Sequence, residues 1–356
     1  MFYSLYDRNL NSIGKTYTLE SWSRTRRSVD FDNATIVGEQ IPYWVEPFFV
    51  DISDEHGRQI FSGLASTPQI DEKNKKTTIS LKDYITLFNS DIVVDWGDIP
   101  SEGLRLSEYL DYILTKWKEQ IFSGFSAVFW DLSDLENVYW DKDITLGEGK
   151  ESVSAQVLIQ DALNLYNLYK SSRLDVSAKS LTFYFGRQGR HETQIKLRDF
   201  GVDTVEKSFG EYNRVSVYDS SLTLHHRWAL TQNNTIMKIS NPGDERSSDL
   251  VYPAKNRNFV ARQPDDSLTQ DQAIYDALYD ALMGLANNRY QESITLDVQK
   301  AKSLVDLSSV GFDYTVTVYA ENGLYRNLPV GSISEDSAGK HSIVLGRSRE
   351  ELTQEV

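Results

Sequence analysis

The sequence predicts a mixed, mainly β protein of the α+β class, in which a β segment, a helix-containing insert and a second β segment of similar plan follow one another. Three observations predict it. Residues 1 to about 95 alternate apolar and polar side chains with strand period. Three stretches in the middle repeat apolar residues at helical spacing, and strand alternation returns from "ESITLDV" onward. Aromatic residues are abundant, with 20 Tyr, 15 Phe and 7 Trp, which suits strands and contact surfaces.

The elements follow in order. "YTLESWSRTRR" alternates, and "YWVEPFFVDI" reads as a short apolar strand pair broken by Pro47. "QIFSGLAS" and "KTTISLKDYI" flank an all-polar tip, Asp71-Glu72-Lys73-Asn74-Lys75-Lys76, of hairpin-loop length. Ile79 and Leu81 alternate with Ser80 and Lys82, as a half-buried strand requires. The period then changes. In "LRLSEYLDYILTKWKEQI", Leu106, Leu110, Ile113, Leu114, Trp117 and Ile121 share one helical face, with Ser107 at the N-cap. "SAQVLIQDALNLYNLYK" predicts a second helix that buries Leu158, Ala162, Leu165, Tyr166 and Tyr169.

"SLTFYFGR" and "EYNRVSVYDSS" read as strands, and residues 231–267 as long polar loops with a few short strands. Ser267 and Gln270 predict a capping box that opens a third helix, with Ile274, Leu278, Ala281, Leu282 and Leu285 facing inward. "FDYTVTVY" places Phe312, Tyr314, Val316 and Val318 on one strand face, "KHSIVLG" follows, and the charged last ten residues read as a short helix.

A chain of 356 residues exceeds one ordinary core and predicts two or three modules. The expected division is a first β unit at 1–95, an insert at 96–205 and 222–295, a second β unit at 206–221 and 296–347, and a tail at 348–356.

Composition excludes several function classes. Net charge is −15, from 52 acidic against 37 basic side chains, so a basic footprint for nucleic-acid binding is missing. The chain has no cysteine, which rules out disulfides, thiolate zinc sites and cysteine nucleophiles. Its start lacks a basic segment followed by an apolar run, so no signal peptide is expected. No window approaches about 18 apolar residues, so no membrane span is expected.

Catalytic chemistry finds little footing. Of His56, His191, His225, His226 and His341, only His225 and His226 are paired. Adjacent strand residues point to opposite faces, so no metal site is expected. Acid pairs such as Asp131 and Asp134, Asp141 and Asp143, and Asp265 and Asp266 arise by chance among 52 acids. Trp130, Tyr139 and Trp140 beside them keep one rival open, a peptidoglycan- or carbohydrate-acting enzyme or a glycan-binding adhesin. No nucleophile elbow, Walker loop or Rossmann fingerprint occurs. No catalytic residue and no cofactor is therefore nominated. The short basic clusters at 23–27 and 73–76 are solvated loops or contacts to an acidic face of a neighbouring subunit.

The order of segments carries a resemblance. A strand ending in "FSGLA", a polar finger and a strand running into "LKDYITLFNSDI" resemble the first barrel of phage tail-hub proteins. "FGEYNRVSVYDSS" resembles the strand by which that family enters a second barrel. "ALYDALMGLANNRYQESITLDV" is similar to its helix-then-strand return, and "VGFDYTVTVYAENGLYRNLPVGSISEDSAGKHSIVLGR" to its closing strands and hairpin. The family includes the N-terminal structural module of tail-associated lysins of Gram-positive siphophages, and the pattern is most similar to lactococcal siphophage baseplates.

The resemblance implies two similar small β-barrels in a pseudo-duplicated arrangement, with the insert below them. It implies a homotrimer whose six barrels match a sixfold tube and distal tail protein, closing the tail tube until it opens for DNA passage. It also implies residence in the virion, at the tail tip, after assembly in the host cytoplasm. DNA would meet the chain only in passing, and the net charge of −15, taken by itself, would suit a channel through which DNA slides without sticking. Many relatives continue into a peptidoglycan-cleaving domain. This sequence shows no lysin chemistry before Val356, so a structural role rather than an enzyme is expected. The fingers, with Asp71, Lys73, Lys75 and Lys76 in one and Glu335, Asp336 and Lys340 in the other, are expected to contact subunits or the tube.

Overall fold

A computed structural model describes residues 1–99, 103–121, 127–139, 149–208, 212, 214–230, 236–239, 256–265, 268–287, 291–298, 307, 310–319 and 325–346. The predicted Asp141–Asp143 pair, Trp140, Asp266, Ser267 and the tail at 348–356 lie outside these residues.

The chain opens with β1 (Phe2–Tyr6), β2 (Tyr17–Arg27), β3 (Asn33–Glu39), β4 (Phe49–Ser53), β5 (Gln59–Ala65), β6 (Gln69–Asp71) and β7 (Lys76–Lys82). Hydrogen bonding runs β1-β4-β5-β7-β3-β2 and returns to β1 through Phe2↔Thr18 and Tyr3↔Tyr17. The sheet is thus a closed barrel without a free edge between these strands. Alternate residues fill it, among them Leu5, Leu19, Ile36, Ile52, Phe61 and Ile79. At Gly38 a Cβ would lie 2.5 Å from the Thr18 carbonyl oxygen, so the approach of β3 to β2 requires glycine. The stretch "YWVEPFFVDI" supplies one strand, β4, rather than the expected pair. Pro42 and Pro47 bracket a loop in which Tyr43 and Trp44 stand 79% and 70% exposed.

The middle of the chain begins with β8 (Asp91–Asp95), α1 (Leu106–Gln120), β9 (Val128–Asp131), β10 (Lys150–Ser154), α2 (Ala155–Leu165), β11 (Leu168–Asp175) and β12 (Ser180–Arg187). Strand β8 pairs antiparallel with β10, while β11, β12 and β9 form a separate sheet. The apolar stripe of α1 buries Leu106, Leu110, Ile113, Leu114 and Trp117, but Ile121 follows the last helical residue and is exposed. Its N-cap is Arg105, not Ser107: the Glu108 carboxylate accepts the Arg105 N–H at 2.9 Å, which fixes the start two residues earlier. Helix α2 ends at Leu165. Asn167 takes a left-handed φ of 53°, which breaks the helix and puts Tyr169 on β11 instead of a helical face. Phe88 packs between these elements, 4.5 Å from Trp117 and 4.7 Å from Phe183 by ring centroid.

The remainder holds β13 (His191–Lys196), β14 (Gly201–Ser208), β15 (Arg214–Tyr218), β16 (Leu224–Leu230), β17 (Ile236–Ile239), β18 (Asn256–Val260), α3 (Gln270–Asn287), β19 (Gln291–Asp297), β20 (Tyr314–Tyr319), β21 (Tyr325–Asp336) and β22 (His341–Gly346). Pairing runs β14-β19-β22-β21-β20-β13 around a second core of Ile195, Leu296, Val316, Val330, Ile333 and Ile343. The expected division assigns 96–205 to the insert, whereas pairing places β13 and β14 in this second strand set. Strand β15, expected to enter the second barrel, pairs with β16 and β18 in a four-stranded sheet against which α3 packs. A capping box at the start of α3 is closed by Thr269 and Gln272, with Gln270 the first helical residue: the Thr269 N–H donates to Gln272 at 3.0 Å, and the Gln272 N–H to the Thr269 hydroxyl at 3.3 Å.

The fold is therefore mainly β with few helices, as the alternation predicts. Among the described residues one ladder joins the two strand sets: β2 pairs antiparallel with β21 from Ser23↔Asp336 to Arg27↔Ser332. Strand β21 carries a bulge at Gly331, where a Cβ would lie 2.1 Å from the Gly346 carbonyl oxygen. The bulge frees the Gly331 carbonyl to accept the Ser28 N–H at 2.9 Å.

Candidate functional site

Ser28 is the meeting point of three parts of the chain. Its N–H bonds to Gly331 on β21, and its carbonyl accepts the Lys170 N–H of β11 at 3.0 Å. Beside it the Lys170 ammonium, 3% exposed, lies between two carboxylates. It donates to Asp32 at 3.2 Å and to Asp83. Asp32 also accepts the Arg27 N–H at 2.8 Å, and Asp83 accepts the N–H groups of Asp32 and Ile85, capping the turn Tyr84–Phe88. Burial alone would lower the lysine pKa, but the two flanking carboxylates outweigh it and raise Lys170 above the ordinary lysine value. The cluster pins β11 to the first barrel. Its members stand 138 and 87 residues apart, and nothing in the sequence pairs them.

The predicted finger residues do not come together in one place. Asp71 accepts the Lys73 and Asn74 N–H groups at 3.0 Å each, and these bonds hold its carboxyl below the usual carboxylate range. Lys75 pairs with Glu72 at 3.0 Å, Lys76 reaches Glu20 on β2 at 2.6 Å, and Lys73 is exposed. The other finger lies against the first barrel. Glu335 pairs in register with Arg24 and is 3.8 Å from Arg26, and the Ser337 N–H donates to the Trp22 carbonyl at 2.9 Å. Asp336 accepts the Ala338 and Lys340 N–H groups at 2.9 Å, with Lys340 exposed.

Asp336 belongs to a device that sequence reasoning missed. Asp7, Asp54, Asp219 and Asp336 each accept the backbone N–H groups of the residues two and four positions on. The residue three positions on is left-handed in every case: Leu10, Gly57, Leu222 and Gly339. This is a type I turn closed by a left-handed bulge residue, with the aspartate supplying the missing acceptors. The signal that could have found it is Asp followed three residues later by Gly, present at two of the four loops.

The acids beside the aromatic cluster are occupied. Asp111 accepts the Trp130 indole N–H at 2.6 Å, and Asp131 accepts from Ser133 at 2.7 Å. Asp134 holds Tyr184 and Arg190. Among the described residues no group of His, Cys, Asp or Glu could hold a metal ion, and no helix is long and apolar enough to cross a membrane. His225 and His226 lie on β16.

No protein-family model matches the chain, and no curated protein matches it. Solved structures do. The prophage tail protein gp18 from Listeria monocytogenes EGD-e aligns with a TM-score of 0.51 and 12% identity, over 99% of this chain and 95% of that one. The tail protein from Neisseria meningitidis MC58 aligns with a TM-score of 0.50 and 10% identity, over 97% of each chain. The chain has the fold of these tail proteins, along nearly its whole length.

Proposed function

We propose that the chain is a structural subunit of a phage tail tip or baseplate, the hub that closes the distal end of the tail tube. The observation that carries this reading is the end-to-end fold likeness to prophage gp18, covering 99% of this chain. The ladder between β2 and β21 supports it, because it holds two strand sets side by side in one polypeptide. In this reading each copy contributes two barrel-like units, the first within 1–95, and a homotrimer displays six. Heterologous contacts around a threefold axis then match a sixfold ring above. Such interfaces bury upward of about 2,000 Å² and use aromatic anchors. The exposed Tyr43 and Trp44, edge to face at 4.9 Å, have that character.

The finger residues act as contacts to subunits or tube, the insert narrows the exit until the host is met, and the virion is that of a siphophage of a Gram-positive host, of the lactococcal type. The chain is not an enzyme in this account. Light scattering of the pure chain, alone and with the distal tail protein of the same phage, tests the hub. A homotrimer that captures the distal tail protein is expected; a monomer that ignores it overturns the proposal. Incubation with peptidoglycan is expected to release no product.

A further inference from the structure

A cavity of about 260 Å³ opens where β11 meets the first barrel, and the Lys170 cluster forms part of its wall through Asp32 and Asp83. Its charge runs against that of the chain. Arg24, Lys82 and Arg173 line it as cations, and the two lining carboxylates already share Lys170. Three lining cations thus accompany two lining anions that Lys170 already neutralises in part from behind the wall, in a protein of net charge −15. Among the described residues the Arg24 guanidinium makes no hydrogen bond or salt bridge, although the carboxylates of Asp32, Glu335 and Asp83 lie within electrostatic reach. The guanidinium lies over the Phe61 ring at 5.2 Å, and burial lowers its pKa.

A second observation points into the same space. Tyr84 lines the cavity at 2% exposure, and among the described residues its buried hydroxyl has no partner at hydrogen-bond geometry. Burial pushes this phenol up from the ordinary tyrosine range, so it is a neutral O–H donor. Ser62 lies close enough to temper that rise without meeting hydrogen-bond geometry. A buried, unmet hydroxyl is costly unless something accepts from it, and an acceptor placed there would also meet the Arg24 guanidinium that lines the same space. The remaining wall is partly apolar, with Ala34, Phe61 and Leu81, and so suits a carbon skeleton better than a bare inorganic ion.

We infer that this cavity is a carboxylate-binding site, in which Arg24 and Arg173 hold the carboxylate and the Tyr84 hydroxyl donates to it, while the apolar wall takes the attached carbon chain. The carboxylate belongs either to a small organic acid or to a Glu or Asp side chain of an adjoining subunit. The inference stands apart from the hub reading, because binding is measured on the isolated chain.

The test is calorimetric titration of the full chain with sodium malonate and, separately, with a hexaglutamate peptide, each against sodium chloride and sodium phosphate at equal ionic strength. Saturable binding is expected from malonate if the ligand is a free acid, or from the peptide alone if it is an acidic side chain. In either case Arg24→Gln weakens binding about tenfold. Tyr84→Phe also weakens it, while leaving the melting temperature of the ligand-free protein unchanged or higher, since no existing hydrogen bond is lost. Arg173→Gln supplies the cation test should Arg24→Gln fail to fold. No binding by either probe, phosphate binding equal to malonate, or binding that survives these substitutions overturns the assignment.

Discussion

Lys170 on β11 donates to Asp32, at the end of the β2–β3 connection, across 3.2 Å, and this bond closes the buried junction of the insert with the first barrel. Removing the ammonium leaves the buried Asp83 and the partly buried Asp32 without the cation that hydrogen-bonds to both. Lys170→Met is expected to lower stability by about 3–5 kcal/mol near neutral pH. The loss shrinks at acid pH, where Asp32, whose pKa burial raises, takes up a proton. In the wild type the sign is opposite at the alkaline end. A lysine with a raised folded pKa contributes stability below its ordinary pKa and loses it as pH rises through the folded value. Urea denaturation of both proteins across pH checks each limb.

Asp161 on α2 accepts the Tyr279 hydroxyl of α3. Burial is the main cause that pushes its carboxyl up to about 6, with Asp280 adding to the rise and the Tyr279 bond opposing it. The folded state therefore holds this proton more tightly than the unfolded chain. Stability falls by roughly 3 kcal/mol as pH climbs from about 4 to about 6 and is flat above. Asp161→Asn keeps an acceptor for Tyr279 and removes the titration. Its denaturation midpoint is expected to exceed that of the wild type at pH 8 and to match it at pH 4.

The four aspartate loops predict opposite outcomes for one substitution at two sites. Leu222 is 66% exposed at φ 65°, so Leu222→Gly relieves backbone strain and is expected to stabilise by about 0.5–1 kcal/mol. Leu10 has φ 58° but is buried in the core, so Leu10→Gly is expected to destabilise by about 2–3 kcal/mol. Urea midpoints of the two variants should move in opposite directions.

Gly331→Ala forces a methyl against the Gly346 carbonyl and disturbs the carbonyl that Ser28 uses. A loss of about 2–3 kcal/mol is expected. Hydrogen exchange at the Ser28 and Lys170 amides should speed up more than at Ile79, inside the first barrel.

What the sequence made legible was periodic. The stripe from Leu106 to Trp117 and the alternation of Phe312, Val316 and Val318 report burial directly, because side-chain direction repeats with the backbone. Boundaries were harder. Ser107 is a better capping residue than Arg105, yet the Glu108 carboxylate reaching back decided the start. Tyr169 extends a helical pattern on paper, but Asn167 turns the chain first. The second strand set was legible in its closing strands and not in β13, which pairs with β20 more than 100 residues later in the chain. The Lys170 cluster and the Arg24 cavity left no trace in the order of residues. Both are made by strands brought together only when the insert folds against the barrel, and a lone lysine or arginine reads as surface charge.

Strand β2 belongs to the closed barrel along its length and to the second strand set at its far end. The pitch between the two halves is thereby set by peptide geometry, and neither half can swivel without unzipping from Ser23 to Arg27. Any domain movement that keeps this ladder intact has to hinge elsewhere in the polypeptide, with the two strand sets travelling as one rigid strut.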